Sequence, residues 1–136
     1  MAIRLLIAEE HALVRQGLRV TFEDTDIEII GEATTGEEAV RLASREETDV
    51  MLLGIKMADG GLDVLRRVKS EKPEMAVLIY SQSGRFDIQK RARELGASGY
   101  LSKRADAKEL IDAICKSSRG EKLWPASHGD QEGDIS

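Results

Sequence analysis

Apolar residues in this chain fall into two alternating rhythms. Short, nearly continuous apolar runs are each followed by a longer stretch with an apolar residue every three or four positions. The first run is IRLLIA, residues 3–8, after which Val14, Leu18 and Phe22 recur at four-residue spacing along one helix face. The second is IEIIGEA, 27–33, followed by TGEEAVRLA, where Ala39, Leu42 and Ala43 face inward. Thr35 is placed to cap that helix, with Glu38 three residues on as in a capping box. DVMLLGI, 49–55, leads to a stripe of Leu62, Leu65 and Val68. MAVLIYS, 75–81, leads to Ile88, Ala92 and Leu95, with Gly96 as a helix C-cap. SGYLS, 98–102, leads to Leu110, Ile111 and Ile114.

Five strand–helix units in a row predict an α/β domain. Strands that are apolar throughout are buried on both faces, which requires a parallel sheet covered by helices. Right-handed crossovers make this a doubly wound, three-layer arrangement. The rhythm stops near Gly120, and EKLWPASHGDQEGDIS is polar and turn-rich. The expected organisation is one domain over 1–119 and a polar tail or linker start over 120–136.

Composition narrows the function classes. With 136 residues there is room for one domain with a core, and 33% charged residues fit a soluble globular chain. A net charge of −5 gives no overall attraction to nucleic acid. The single cysteine, Cys115, excludes an internal disulfide and suits a reducing compartment. No apolar run is long enough to span a bilayer, and MAIRLLIAEE lacks a signal-peptide pattern. The expected location is cytoplasmic, with no membrane contact.

In parallel sheets, ligands gather at the carboxyl ends of the strands. The residues expected there are Glu9 and Glu10 after the first strand, and Gly54, Ile55 and Lys56 at the third. Ser81 ends the fourth strand, and Lys103 follows the fifth, which contains Tyr100. Two carboxylates, a hydroxyl and an ammonium thus converge on a shallow pocket. A reactive side chain is expected at the end of the third strand, yet Gly54 has none.

These residue types in this order resemble the receiver domain of two-component response regulators, closest to receivers that precede a helix-turn-helix output domain. "LLIAEEHALVRQGL", "IIGEATTGEEAV" and "LGASGYLSK" carry the resemblance, which runs from Ile3 to about Gly120. It implies a flavodoxin-like (βα)5 fold with strand order 2-1-3-4-5. It also implies roles. An acidic pair after the first strand binds Mg²⁺ in receivers, and Glu9 and Glu10 hold those places, with a backbone carbonyl from Lys56. The phosphoacceptor aspartate ends the third strand, and Gly54 stands there, which cannot be phosphorylated. Ser81 matches the hydroxyl that follows the phosphoryl group, Tyr100 the aromatic that turns inward on activation, and Lys103 the lysine that pairs with the phosphoryl group. Met57-Ala58 stands where Met-Pro is usual.

The chemical consequences follow. Phosphorylation of a receiver needs an in-line carboxylate nucleophile beside Mg²⁺. Gly54 supplies neither nucleophile nor side-chain ligand, and Mg²⁺ requires compact octahedral oxygen coordination. The expectation is therefore a weak Mg²⁺ site or none, and no other cofactor. An ion pair between Lys103 and one of the two glutamates is the expected rest state, with the glutamates also capping the first helix. His11 is expected as a solvated side chain, and Asp59 as too far past the strand end to replace the acceptor.

The implied function is a phosphorylation-independent pseudo-receiver, not an enzyme, acting by protein–protein contact in signalling or transcription control. The basic stretch 85–104 includes Lys90, Arg91 and Arg93, and Asp106, Glu109 and Asp112 follow it. In receivers this region lies on the face of helix four, strand five and helix five, which is used for dimerisation. The expected partners are a histidine kinase, an output domain or a second copy through that face. No helix-turn-helix follows residue 120, so direct nucleic-acid binding by this chain is not expected. Two alternatives remain: a DNA-binding regulator's receiver altered at its acceptor, and a small-ligand-gated receiver-like module. No GxGxxG or Walker pattern occurs, and Val14 breaks the Asp-x-His-x-x-Gly spacing of a cobalamin module.

Overall fold

The computed structural model describes residues 2–57, 60–82 and 84–124. Asp59, weighed above as a substitute acceptor, lies outside the described residues, as do Ala58 and most of the expected tail. The strands are β1 (Ile3–Ala8), β2 (Ile27–Ala33), β3 (Val50–Gly54), β4 (Ala76–Ser81) and β5 (Gly99–Ser102). The helices are α1 (Ala12–Phe22), α2 (Gly36–Arg45), α3 (Gly61–Glu71), α4 (Phe86–Glu94) and α5 (Ala107–Ser118). All strand pairs are parallel, in the order β2-β1-β3-β4-β5. This is the doubly wound sheet and the strand order that the resemblance implies.

Side chains alternate across a strand, so each central strand feeds two cores. Leu6, Ala8, Met51, Leu53, Val77 and Ile79 pack with α2, α3 and α4 through residues such as Ala39, Val64 and Ala92. Leu5, Ile7, Leu52, Leu78 and Tyr80 pack with α1 and α5 through Leu18, Phe22, Leu110 and Ile114. β3 and β4 are buried along their whole length, which explains their unbroken apolar sequence.

The register fixes what meets at the carboxyl edge. Ala8 lies opposite Leu53, and Gly54 opposite Tyr80. The residue after Ala8 is Glu9, so the sheet carries Glu9 alongside Gly54. The β1–β2 register slips between Leu5 and Leu6, a bulge that leaves Ile30 without a β1 partner.

Two helix starts differ from expectation. Thr35 caps α2 by accepting from the Glu38 N–H at 3.2 Å. Glu38, however, turns its carboxylate to the Thr34 N–H at 2.9 Å, one residue earlier than a capping box requires. The full capping box is on α5, where Asp106 and Glu109 bond each other's backbone N–H groups. Those two residues were expected at a partner surface. Gly96 does close α4, with φ +100° after Leu95.

The chain beyond Gly120 also differs. Residues 121–124 were expected in a tail, yet Leu123 and Trp124 pack on the domain, one against each core.

The start of α3 is pressed against the end of β3. Gly60 has φ +86°, and the Gly61 N–H donates to the Ile55 carbonyl at 3.2 Å. A Cβ on Gly61 would lie 2.7 Å from the Gly54 carbonyl oxygen and from Ile55 backbone atoms, which cannot swing aside. Gly61→Ala is expected to lower stability by about 2 kcal/mol, the usual cost of overpacking. It should appear as a lower urea midpoint at unchanged slope, and a wild-type midpoint would contradict this packing.

Candidate functional site

The site is built on the carboxyl edge of β1, β3, β4 and β5. Glu9 is 3% exposed although it is ionisable. A buried carboxylate must be paired and hydrogen-bonded. Its Oε1 accepts from Lys103 Nζ at 2.8 Å. Its Oε2 accepts from the His11 backbone N–H at 3.0 Å and lies 2.8 Å from His11 Nδ1. Burial alone would raise the Glu9 pKa, but the bonds from Lys103 and His11 outweigh it and hold the carboxyl below its ordinary value.

Gly54 makes room for this arrangement. A Cβ built on Gly54 would lie 2.8 Å from Glu9 Oε1 and 3.4 Å from the Ala8 carbonyl oxygen. The Glu9 carboxylate therefore occupies the space that a side chain at position 54 would enter. What remains is a cavity of about 10 Å³ bordered by Glu9, Glu10, His11, Gly54, Lys56, Met57 and Lys103. That is barely one water's worth of room.

Lys103 is held from several sides. Its backbone N–H donates to the Ser81 carbonyl at 2.9 Å. Its ammonium also lies 5.7 Å from the centre of the Tyr80 ring, within cation–π range. Burial, and next the Glu9 charge, push the Tyr80 hydroxyl pKa up. Arg15 fixes the turn between β1 and α1, donating from Nη1 to the carbonyls of Glu9 (2.9 Å) and Glu10 (3.2 Å). Its Nε lies 3.3 Å from Glu32.

Of the residues picked from sequence, Glu9, Gly54 and Lys103 meet directly. Glu10 borders the same cavity but is exposed, with its carboxylate 3.9 Å from His11 Nε2. The expected capping of α1 by these glutamates is not what forms. The N-cap is His11, its side chain makes no capping bond, and Glu9 receives the N-cap's own N–H. His11 is exposed but is tied to Glu9 rather than merely solvated. Lys56 borders the cavity with its side chain exposed, and Ser81 is buried and lines the adjoining groove with Tyr80 and Lys103. Tyr100 is half-buried and packs on the α2–α3–α4 core, on the far side of the sheet from the ion pair. Tyr80 and Arg15 escaped sequence reasoning. The register partner of Gly54 was the only signal for Tyr80, and helix position over the preceding turn was the only one for Arg15.

The residues of the proposed partner face are engaged locally. Asp112 pairs with Lys116 at 3.1 Å, and Arg91 lies 3.4 Å from Glu94. Arg93 sits over the Trp124 ring, and Lys90 is exposed on α4.

A family model described as the response regulator receiver domain matches residues 5–115. The chain belongs to that family. The response regulator protein VraR of Staphylococcus aureus is 31% identical over 126 residues, covering 91% of this chain and 60% of that protein. The chain thus spans about three fifths of the curated relatives it matches. The signal receiver domain of the response regulator NarL from Mycobacterium tuberculosis superposes with a TM-score of 0.84 at 27% identity, covering 88% of this chain and 98% of that one. A LuxR-family two-component response regulator from Aurantimonas sp. SI85-9A1 gives 0.89 over the whole of both chains, a likeness of fold at 24% identity. No helix among the described residues is long and apolar enough to cross a membrane.

This receiver's acidic edge does not fit the Mg²⁺ that its family implies. Both Glu9 oxygens are taken, one by an ammonium that would repel the ion, and Gly54 offers no side-chain oxygen. Among the described residues no group of three His, Cys, Asp or Glu side chains could hold a metal.

Removing Lys103 leaves Glu9 buried without its cation, so Lys103→Met is expected to cost about 3 kcal/mol at neutral pH. A glutamate whose folded pKa is depressed stabilises above its unfolded value, near 4.3, and loses that contribution as pH falls through the folded value. The gap between wild type and Lys103→Met should therefore close in acid. Denaturant titrations from neutral pH to below about pH 4 would check it, and a pH-independent gap would argue against the pair.

Proposed function

We propose that this receiver works without phosphorylation, as a pseudo-receiver in two-component signalling. One observation carries the reading. The Glu9 carboxylate fills the space beside Gly54 and takes Lys103 as its partner. By the family resemblance, Gly54 stands at the phosphoacceptor position and Lys103 is the lysine that pairs with the phosphoryl group. On this reading the domain carries its own anion where others acquire one. Glu9 supplies a permanent charge for Lys103, and no nucleophile is needed.

Such a domain has no reaction to catalyse and acts through contact. Its partners are a histidine kinase, an output domain or a second copy, met through α4, β5 and α5, in control of transcription. The relatedness to LuxR- and NarL-type regulators supports this. So does Phe86, a large apolar side chain exposed at the start of α4. A second reading, gating by a small ligand, has one observation in its favour. A groove of about 300 Å³ adjoins the ion pair, walled by Leu13, Val14, Ile55 and Tyr80 with Ser81 and Lys103 at its rim.

The test is phosphoryl transfer from acetyl phosphate with Mg²⁺, read by intact mass. The wild-type chain is expected to gain no phosphoryl group. Gly54→Asp alone should gain little, because its side chain meets Glu9; Gly54→Asp with Glu9→Asp should be labelled. A wild-type chain that acquires a hydroxylamine-labile phosphoryl group would overturn the reading.

A further inference from the structure

The segment after α5 is the least expected feature of the molecule. Gly120 takes φ +88° and turns the chain back toward the sheet. The Leu123 N–H then donates to the Ser98 carbonyl at 2.7 Å. The Trp124 indole N–H donates to the Ala97 carbonyl at 2.9 Å, and the Arg93 guanidinium lies 5.9 Å from the centre of its ring. Leu123 packs into the α1–α5 core and Trp124 against the α2–α3–α4 core. Two neighbouring residues thus straddle the open edge of the sheet, one on each face.

The strand they grip is short and supported on one side. β5 has four residues and pairs only with β4. Its carboxyl end is tethered by Lys103, through the backbone to Ser81 and through the ammonium to Glu9. Its amino end lies under the strap. A Cβ on Gly99 would fall 2.9 Å from Leu123 Cβ, so the strap lies against β5 more closely than any residue with a side chain would allow. Gly99 and Lys103 are four residues apart, about 13 Å along an extended strand. β5 is paired with β4 without a break from Gly99 to Ser102, so its two ends belong to one continuous ladder.

We propose that Leu123 and Trp124 form a strap that reads the position of β5, so that breaking the Glu9–Lys103 pair at one end of the strand loosens the chain's exit segment at the other. The strap holds Arg93, which places the exit of the chain on the α4–β5 edge. Trp124, the last described residue, is anchored there. The inference needs the observed ion pair but not the absence of phosphorylation, so a positive acetyl phosphate result would leave it standing.

Trp124 is the chain's single tryptophan, so its emission reports the strap directly. The full chain and its variants are compared by emission maximum and acrylamide quenching, with far-ultraviolet circular dichroism to confirm folding. Gly99→Val pushes directly on Leu123, and is expected to shift emission to the red and raise quenching. Glu9→Gln removes the charge with little change of shape, and is expected to do the same from the far end of β5. Lys103→Met repeats the test from the other partner. Unchanged emission in Gly99→Val would mean that the strap is not docked in solution. A response in Gly99→Val, with none in folded Glu9→Gln or Lys103→Met, would mean that the strap is fixed and reads nothing. Either result overturns the proposal.

Discussion

A carboxylate cannot be buried unless its charge is answered. Glu9 is buried because it directly follows Ala8, the last residue of β1, whose partner Leu53 directly precedes Gly54. Everything around it meets that one requirement. Lys103 answers one oxygen and His11 the other, while Arg15 holds the turn that aims the side chain. Gly54 contributes by leaving the space open. The carboxyl edge of this sheet is arranged around an internal ion pair.

The two-sided sheet divides the labour. Glu9, Tyr80 and Lys103 sit together toward α1 and α5, whereas Tyr100 belongs to the core under α2, α3 and α4. Neighbouring residues of β5 therefore face different surroundings. This is how a four-residue strand touches the ion pair, both cores and the exit segment at once.

The rhythm of apolar residues made the five strand–helix units legible from sequence, because a parallel sheet buried on both faces leaves unbroken apolar strands. Pairing of Lys103 with one of two glutamates was also legible, since the residue types demand it. Which glutamate it would be was not. That depends on the register of β1 against β3, a relation between strands about 45 residues apart that no local pattern records. Capping was misread for a related reason. Thr35-x-x-Glu38 and Asp106-x-x-Glu109 carry the same signal, and only side-chain placement separates the partial cap from the complete one. Leu123 and Trp124 were hidden because two apolar residues amid polar ones have no period. They are partly buried by the sheet edge that they find, not by an element of their own.

The mutual fit of Glu9 and Gly54 makes change at this edge directional. With Glu9 seated, a carboxylate introduced at position 54 arrives in occupied space beside a like charge. With a side chain at 54, the Glu9 carboxylate would have to turn away from its present seat. The two positions are coupled in one direction: a carboxylate placed at 54 is crowded while Glu9 stands, whereas shortening Glu9 first leaves room for it.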